Sequence, residues 1–479
     1  MRFFLPRTAL NILDKLGEAG FQAYIVGGAV RDLIQGKEVG DWDFTSDATP
    51  EEIIKLFKGS FYDNKFGTVG IPIRSNTGST SNTSNTSEET NKYDVYEITT
   101  FRKEQGYSDR RRPDKVEWGK SLEEDLSRRD FTVNAMALEV KDNTSNTSNT
   151  GNTGSTGEEL VGLEVEVIDP FGGQKDLDNK LIRAVGDPSE RFGEDGLRMM
   201  RAIRLGAQLG FAIEAKTLEA IKNNAGLIKH ISWERIGQEL IKIVASQYPA
   251  DGIMLLYQTS LLGYILPELA AGVGVPQSGH HIYDVFTHSI ESLRGCPAGD
   301  PTVRLAALLH DIGKPVTFRQ EGKQITFYSH EVVGARMVKV IADRLRLTVE
   351  ARNKLWRLVR WHMFTYSKEM TDAAIRRFIR RVGKDEISDM MMLRVGDRKG
   401  GGSPATSWRL RELQERIGIV MYDPLEVKDL AVDGHDVMKV LGIKPGPQVG
   451  KVLNVLFEEI LEDPKKNQRE YLLERIGSS

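Results

Sequence analysis

The 479-residue chain has little cysteine, no long apolar run and almost no net charge. A single cysteine, Cys296, excludes an intramolecular disulfide. No stretch approaches eighteen uninterrupted apolar residues, and the apolar run at the amino terminus is too short for a signal peptide, so we expect a cytoplasmic protein without a membrane partner. With 65 basic and 68 acidic residues the net charge is -3, which confines any nucleic-acid contact to a local patch.

One such patch is present in the second half of the chain. Between Arg344 and Lys384, twelve basic residues accompany only three acidic ones, and five aromatic residues are interleaved with them. The pattern predicts contact with an RNA backbone, although a solvated helix face would have the same composition.

The pattern of apolar residues predicts an α+β domain followed by helices. Strand-like and helical runs alternate over about the first 170 residues, whereas apolar residues recur at i, i+3 and i+4 after about residue 180. Segments 75–92 and 142–159, rich in Asn, Ser and Thr, each lie between strand-like runs and are predicted to be hairpin tips on one sheet. Domain boundaries are expected near residues 180, 250 and 400.

A pair of carboxylates near the amino terminus has the pattern of a metal site. If GDWDF is extended, Asp41 and Asp43 lie on one face about 7 Å apart, with Trp42 turned into the core. Two Mg²⁺ ions roughly 4 Å apart could then activate a hydroxyl and neutralise a triphosphate leaving group. Gly27 and Gly28, between a strand and a helix, would let phosphate oxygens approach backbone N–H groups without a Cβ in the way.

The segment EDGLRMMRAIR, residues 194–204, has a second notable spacing. As a helix it brings Asp195 and Arg198 to one face, and Arg201 and Arg204 continue the stripe. Taken alone, this spacing is more typical of an ordinary surface ion pair worth roughly a few tenths of a kcal/mol.

Five successive motifs resemble those of the class II tRNA nucleotidyltransferases, the family of CCA-adding enzymes and bacterial poly(A) polymerases: VGGAVRDLIQGKEVGDWDF, LEEDLSRRDFTVNAMA, IDPFGG, RFGEDGLRMMRAIR and WERIGQEL. The likeness covers residues 20–245 closely and LAVDGHDVMKVLGIKPGPQVGKVL in the tail more weakly. It implies template-independent addition of CCA, or of its terminal A, to tRNA 3' ends from CTP and ATP. The implied domains are a polymerase-beta-like nucleotidyltransferase head with a mixed sheet at 1–175, a nucleotide-selecting and RNA-binding helical neck at 176–250, a helical body at 251–400 and a helical tail at 401–479.

The resemblance also implies roles for single residues. Asp41 and Asp43 would be the catalytic Mg²⁺ ligands, and Gly27 and Gly28 the triphosphate loop. The other residues expected to bind nucleotide are Arg31, Arg128, Arg129, Asp130, Asp195, Arg198, Arg201 and Arg204. Structural support for the nucleotide-reading helix is expected from Glu234 and Arg235 of WERIGQEL.

The pair Asp195 and Arg198 suits selection of C and A without a template. Cytosine and adenine both present a donating amine beside an accepting ring nitrogen, whereas uracil and guanine present the reverse. A fixed carboxylate would accept from the amine, and a fixed guanidinium would donate to the nitrogen. Gly193 and Gly196 flank the pair, and since a glycine costs up to about 1 kcal/mol in a helix interior, we expect a soft reading face.

A second candidate metal site surrounds HDIGK at 310–314, the core of the HD phosphohydrolase signature. The predicted ligands are His288, His310, Asp311, His330, His362 and Asp397, with Asp389 as a weaker substitute for Asp397. Imidazoles and carboxylates on separate helices suit a divalent ion such as Ni²⁺, Mn²⁺, Fe²⁺ or Mg²⁺, and water bridging two such ions can attack phosphoesters. Resemblance to CCA-adding enzymes with an HD domain implies phosphatase, 2'-nucleotidase or 2',3'-cyclic phosphodiesterase activity.

Several alternatives stay open at this point. Glu97 is either a third carboxylate of the head or a structural residue. Residues 99–118 resemble the flexible loop that this family needs for the switch from C to A addition. A poly(A) polymerase would share the head motifs, and a protein acting mainly as an HD phosphohydrolase would share the histidines. The oligomeric state is not indicated by the sequence.

Overall fold

The computed structural model describes residues 1–62, 67–74, 93–105, 115–119, 121–141, 159–277 and 282–478. The chain divides into two compact units, Met1–Ile231 and Ser232–Ser479. Nearly all of the two segments rich in Asn, Ser and Thr, and residues 106–114 of the predicted switching loop, lie outside the described residues. No described helix is long and apolar enough to cross a bilayer.

The first unit contains an eight-stranded mixed sheet, which confirms the α+β prediction for the head. Its strands are β1 Arg2–Pro6, β2 Ala23–Val26, β3 Asp43–Ser46, β4 Phe61–Tyr62, β5 Thr68–Arg74, β6 Tyr93–Thr100, β9 Ala137–Val140 and β10 Leu160–Ile168. Their order across the sheet is β1-β10-β9-β2-β3-β6-β5-β4. β3 and β6 are parallel, and the other neighbours are antiparallel. Two smaller pairs are β7 Arg102–Gln105 with β8 Lys115–Trp118, and β11 Leu181–Ile182 with β12 Ala212–Ile213.

The strands that flank the two polar segments pair as predicted. β5 and β6 are antiparallel and end at the pair Arg74↔Tyr93. β9 and β10 are antiparallel and end at the pair Val140↔Val165. Both pairs belong to the same sheet, so each polar segment connects two adjacent antiparallel strands.

Helices cover the sheet and complete the first unit. They are α1 Arg7–Glu18, α2 Gly28–Ile34, α3 Pro50–Leu56, α4 Leu122–Ser127, α5 Gly173–Asp178, α6 Pro188–Glu194, α7 Leu197–Leu209 and α8 Ala215–Asn224, with 3-10 turns at Thr132–Asn134 and Ala225–His230. α1 buries Ala9, Ile12 and Leu16 at spacings of three and four residues, as an amphipathic helix does. Ile25 and Phe44 on the central strands are almost fully buried, so the core lies directly behind the end of β2 and the start of β3.

The second unit is helical, as the sequence pattern predicts. Its helices are α9 Trp233–Ala245, α10 Pro249–Gln258, α11 Leu262–Ile265, α12 Pro267–Ala270, α13 Val285–Gly295, α14 Pro301–Leu309, α15 Lys314–Thr317, α16 His330–Arg344, α17 Val349–Trp361, α18 Asp372–Val382, α19 Ile387–Gly400, α20 Trp408–Val420, α21 Gly434–Leu441, α22 Pro447–Glu462 and α23 Arg469–Gly477. Shorter elements are the hairpin β13 Arg319–Glu321 and β14 Gln324–Thr326, and 3-10 turns at Lys384–Glu386, Val427–Asp429 and Pro464–Lys466.

Two glycines let α19 pack closely against α13. A Cβ placed on Gly396 would lie 2.6 Å from the carbonyl oxygen of Ser292, and one on Gly400 would lie 2.8 Å from that of His288. Neither position can take a larger side chain while the helices keep this separation. The contact brings side chains of α13 and α19 to one place, and His288 and Asp397 are among them.

Candidate active sites

Asp43 is the first residue of β3, at the centre of the sheet of the first unit. Its neighbour Trp42 is 7% exposed, as predicted for a residue turned into the core. Asp41 is exposed and precedes the strand, so the prediction that both carboxylates lie within one strand is wrong. The reason is the partner strand: β2 ends at Val26, which pairs with Asp43, and offers no backbone to Asp41.

The electrostatics of Asp43 favour a bound cation. Burial raises the pKa of this carboxyl group; Arg129 lowers it, and the like charge of Asp41 raises it further. A positive charge in contact with Asp43 would stabilise its ionised form. Glu97 on β6 is the pairing partner of Asp43 in the parallel ladder and is exposed. Paired residues of adjacent strands project to the same side of a sheet, so three carboxylates lie near one end of β3.

Gly27 makes the closest approach to these groups. Its φ of 75° and ψ of -136° belong to a region that residues with a Cβ rarely adopt. A Cβ here would lie 3.1 Å from Nη1 of Arg129 and 3.2 Å from Oδ2 of Asp43. The backbone conformation therefore favours glycine, and a Cβ would also crowd both side chains. Gly28 begins α2, as predicted for a strand–glycine–helix turn.

Arg31 lies one turn into α2 and is anchored within the unit. Its guanidinium group donates to both carboxylate oxygens of Asp32, each at 2.9 Å, and to Oδ1 of Asn134 at 2.8 Å. These bonds tie α2 to the turn that follows the RRD motif.

The three residues of the RRD motif have different surroundings. Arg128 donates to Oδ1 of the buried Asp125 at 2.6 Å. Arg129 lies 3.6 Å from the other oxygen of Asp125, and burial lowers the pKa of its guanidinium group, although Asp125 counteracts this. Asp130 accepts from Nε of Arg201 at 2.7 Å. Burial alone would raise the pKa of Asp130, but Arg201 and Arg198 outweigh it and hold the pKa below its usual range. Arg129 is thus the member of the motif that lies beside Asp43.

The segment EDGLRMMRAIR is not one helix, and this corrects the prediction that Asp195 and Arg198 share a helix face. α6 ends at Glu194, Asp195 has an extended backbone, and α7 begins at Leu197. A Cβ on Gly196 would lie 3.2 Å from the carbonyl oxygen of Leu227, so the chain breaks where it must pass close to another backbone. The expected softening of a helix by Gly193 and Gly196 does not apply, because Gly196 lies at this break.

The break changes which carboxylate contacts Arg198. Its Nη1 donates to Glu194, and its Nη2 donates to the carbonyl oxygen of Arg128 at 3.3 Å. Asp195 accepts from the backbone N–H of Leu197, the first residue of α7, at 3.0 Å. Asp195 and Arg198 still lie within one turn of each other, since the N–H of Arg198 donates to the carbonyl oxygen of Asp195. Together with the pair Arg201–Asp130, these bonds fix the start of α7 to the RRD motif.

The remaining head and neck residues lie as follows. Arg204 is half-buried on α7. Glu234 is exposed and Arg235 is half-buried in the first turn of α9, which belongs to the second unit. Their supporting role stays a prediction.

Most of the basic residues between 344 and 384 are neutralised within the protein. Eight of the twelve form ion pairs with carboxylates, namely Arg344, Arg352, Lys354, Arg357, Arg360, Arg376, Arg377 and Arg380. Arg376 is 5% exposed and also donates to the carbonyl oxygen of Leu461 at 2.7 Å. The positive excess counted along the sequence is therefore much smaller in the folded unit.

The predicted HD ligands come together in the second unit. They form two groups, His288 with His310 and Asp311, and Asp311 with His330 and His362, and in each the donor atoms lie within 4.8 Å of one another. Asp311 belongs to both: its Oδ2 lies 3.2 Å from Nε2 of His310, and its Oδ1 lies 3.3 Å from Nε2 of His330. Oδ1 of Asp397 lies 3.3 Å from Nε2 of His288. We call these six residues the HD cluster.

Backbone carbonyl groups orient three of the four histidines of the HD cluster. Nδ1 of His310 lies 2.8 Å from the carbonyl oxygen of Ala307, and Nδ1 of His362 lies 2.7 Å from that of Val359. His330 makes the same contact at 2.9 Å with Phe327. A proton on each Nδ1 leaves Nε2 free to bind a metal, the usual arrangement of metal-ligating histidines.

The charges of the HD cluster also fit divalent ions. Asp311 opposes the effect of burial and raises the pKa of His310 to about 10, and the pKa of Asp311 itself lies well below its usual range despite burial, because His310 and Lys314 lie beside it. Buried carboxylates in such a setting require positive charge: protonated His310 and Lys314 supply it here, and a divalent ion would replace the proton on Nε2 of His310. Asp389, the weaker candidate, pairs with Nζ of Lys354 at 2.5 Å.

Comparisons with known proteins agree with this architecture. The family model of the poly A polymerase head domain matches residues 23–183, "Probable RNA and SrmB-binding site of polymerase A" matches 210–272, the HD domain matches 285–395 and tRNA nucleotidyltransferase domain 2 matches 405–476. The chain is 32% identical to the CCA-adding enzyme of Ligilactobacillus salivarius, over 98% of this chain and 95% of that protein. It is also 32% identical to the CCA-adding enzyme of Streptococcus agalactiae, over 98% and 97% of the two chains. The protein belongs to the CCA-adding enzyme family.

A solved structure supports the same conclusion. The Bacillus stearothermophilus CCA-adding enzyme in complex with CTP is similar to this chain with a TM-score of 0.65 and 27% identity, and the similarity covers 98% of this chain and 96% of that one. The resemblance inferred from the motifs is therefore confirmed.

Three residues that contact the two candidate sites were not predicted from the sequence. Asp125 is fully buried between Arg128 and Arg129, and its place four residues before Arg129 is a signal that helical spacing offers. Lys314, the last residue of HDIGK, donates to Oδ2 of Asp311 at 2.6 Å. Arg394 donates to Oδ2 of Asp397 at 2.6 Å and lies one helical turn before it.

Proposed function

We propose that the protein adds CCA, or its terminal A, to tRNA 3' ends from CTP and ATP without a nucleic-acid template. The observation that carries the proposal is the meeting of Gly27, Asp43 and Arg129 at the end of β2, in a chain that matches CCA-adding enzymes over nearly its whole length. A triphosphate bound here would have a carboxylate, a guanidinium group and an unobstructed backbone within reach.

In the proposed reaction, the 3'-hydroxyl oxygen of the RNA attacks the α-phosphorus of the nucleotide and pyrophosphate leaves. Asp41 and Asp43 would hold Mg²⁺, which when bound promotes ionisation of the hydroxyl and neutralises the leaving group. Glu97 supports the same site as a third carboxylate. Gly27 leaves room for the phosphates, and Arg129 stabilises their charge.

In this proposal, the residues at the break between α6 and α7 select C and A. Arg198 is held by Glu194 and by the carbonyl oxygen of Arg128, which limits its rotamers before a base arrives. Asp195 would accept from the exocyclic amine, and Arg198 would donate to the ring nitrogen. Arg201, paired with Asp130, keeps α7 against the RRD motif, and a fixed α7 is what discrimination by geometry requires.

The decisive experiment is 3'-end sequencing after incubation with Mg²⁺ and all four nucleotides. The substrates are tRNA ending at the discriminator base, tRNA ending in CC, and an unstructured RNA. Completion of CCA on the first and no extension of the third is expected. Extension of only the CC-ended tRNA would indicate an A-adding enzyme, and long A tails on unstructured RNA would indicate a poly(A) polymerase.

The HD cluster supports a second activity, metal-dependent hydrolysis of phosphoesters in the cytoplasm. Four imidazoles and two carboxylates, one of them shared, suit two divalent ions such as Ni²⁺, Mn²⁺ or Mg²⁺. Release of 2'-AMP or 3'-AMP from 2',3'-cyclic AMP, dependent on added metal, is the expected result. No hydrolysis with any of these ions would refute the proposal.

A further inference from the structure

A small cavity lies next to the HD cluster, between α19 and the start of α20. Its volume is about 120 Å³, and three arginine side chains line it, Arg394, Arg398 and Arg409. The rest of its lining is Phe364, Thr365, Tyr366, Ser407, Leu410 and Leu413. Pockets for drug-sized ligands measure roughly 300–1,000 Å³, so this cavity suits a single phosphate-sized group.

The cavity differs from most of the basic segment 344–384 because two of its three arginines have no carboxylate partner among the described residues. Arg394 pairs with Asp397, whereas Arg398 donates to the carbonyl oxygen of Pro404 at 3.0 Å and Arg409 lies over the ring of Trp408. In the part of the chain that the structure describes, neither Arg398 nor Arg409 forms an ion pair with a carboxylate. No residue lining the described cavity carries a negative charge.

Two connections join the cavity to the HD cluster. Arg394 lines the cavity and donates to Oδ2 of Asp397, whose other oxygen lies beside His288. Phe364, also in the lining, follows His362 by two residues, and its N–H donates to the carbonyl oxygen of His362 at 3.1 Å. The guanidinium group of Arg394 also lies over the Phe364 ring, 5.4 Å from its centroid. A group bound in the cavity would therefore lie close to one bound at the cluster.

We propose that this arginine pocket, Arg394 with Arg398 and Arg409, binds the phosphodiester that precedes the reacting phosphoester at an RNA 3' end. The inference rests on the proposed HD activity and names its substrate class, an oligonucleotide rather than a mononucleotide. Guanidinium groups bind phosphate oxygens in pairs, which suits a cavity lined by three arginines. In the reaction, water adds to the cyclic phosphate and one P–O bond breaks, leaving a phosphomonoester and a free hydroxyl.

Hydrolysis of two substrates that differ by one nucleotide tests the proposal. The full chain with Mn²⁺ is assayed on 2',3'-cyclic AMP and on the dinucleotide ApA carrying a 2',3'-cyclic phosphate. We expect kcat/KM to be about 10-fold or more higher for the dinucleotide, since a hydrogen bond to a charged group contributes about that factor. The double variant R398A/R409A should lose this preference, chiefly through KM. R411A, which removes an exposed arginine of the same helix α20, should keep it.

A binding measurement separates the pocket from the HD activity. ApA 3'-phosphate is titrated into metal-free protein, and R398A/R409A is expected to bind about 10-fold more weakly than wild type and R411A. Equal affinity in all three proteins, or equal kcat/KM of wild type for both substrates, would overturn the proposed subsite. If wild type hydrolyses neither substrate while the affinities differ, the HD activity fails and the pocket stands as an RNA-phosphate site. CCA addition, measured with the same protein preparations, tests the proposed activity of the head separately.

Discussion

Substitution of Gly27 by alanine tests whether the close approach of the backbone to Arg129 and Asp43 is needed for nucleotide transfer. At φ 75° and ψ -136°, a residue with a Cβ costs on the order of 1–3 kcal/mol. The added methyl group would lie 3.1 Å from Arg129 and 3.2 Å from Asp43, so one of these must move by a few tenths of an ångström. Displacements of about 1 Å at a reacting centre can cost about 100-fold in rate. Because the displacement in G27A is smaller, we expect a loss on the order of 10-fold in single-turnover incorporation of CTP into tRNA.

Gly20 provides the matched control for this prediction. It also has a positive φ, 86°, but no atom lies within 4 Å of the position of its Cβ. G20A should therefore be destabilised to a similar extent in thermal unfolding and should still incorporate CTP at the wild-type rate. If G27A incorporates CTP as fast as G20A, the role assigned to this glycine is wrong.

Three further substitutions test the remaining assignments. D195A should raise incorporation of UTP and GTP relative to CTP by about 10-fold in single-nucleotide assays, because a charged hydrogen-bond partner is lost; unchanged selectivity would remove Asp195 from base reading. R201A should lower the free energy of unfolding by about 1 kcal/mol at pH 7, because solvent at Arg201, which is 37% exposed, weakens the pair below the roughly 1–3 kcal/mol of a fully buried one. The pKa of Asp130 is depressed in the folded state, so this stabilisation is present above about pH 4 and is lost as the pH falls through the folded pKa. Urea unfolding at pH 7 and pH 3.5 should therefore show a smaller difference in unfolding free energy between wild type and R201A at the lower pH. D311N should lose both metal ions by elemental analysis and keep CCA addition, and retention of metal would contradict the shared-ligand geometry.

Elements whose contacts lie close along the chain could be predicted from the local sequence. The strand–glycine–helix turn at Gly27 and the hairpins that flank the polar segments follow from spacing and composition. The six predicted HD residues also come together, and their types suit a metal site, while their role as ligands stays a prediction. Motif order identified the family, which periodicity alone would not have done.

Features decided by distant contacts were not predictable in this way. The break at Gly196 depends on the carbonyl group of Leu227, thirty-one residues later, and nothing within EDGLRMMRAIR reveals that neighbour. The neutralisation of the basic segment depends on acids far along the chain, such as Asp423 for Arg376 and Glu458 for Arg380. A strand boundary likewise depends on its partner, as Asp41 shows.

The double use of Asp311 has a consequence for how the HD cluster takes up its ions. One oxygen serves each histidine group, so a rotation of this side chain that improves one group alters the other. By thermodynamic reciprocity, the first ion changes the affinity for the second by the same factor as the second changes it for the first. Binding of the two ions should therefore be coupled, so the affinity for an ion at one histidine group should depend on whether the other group is filled.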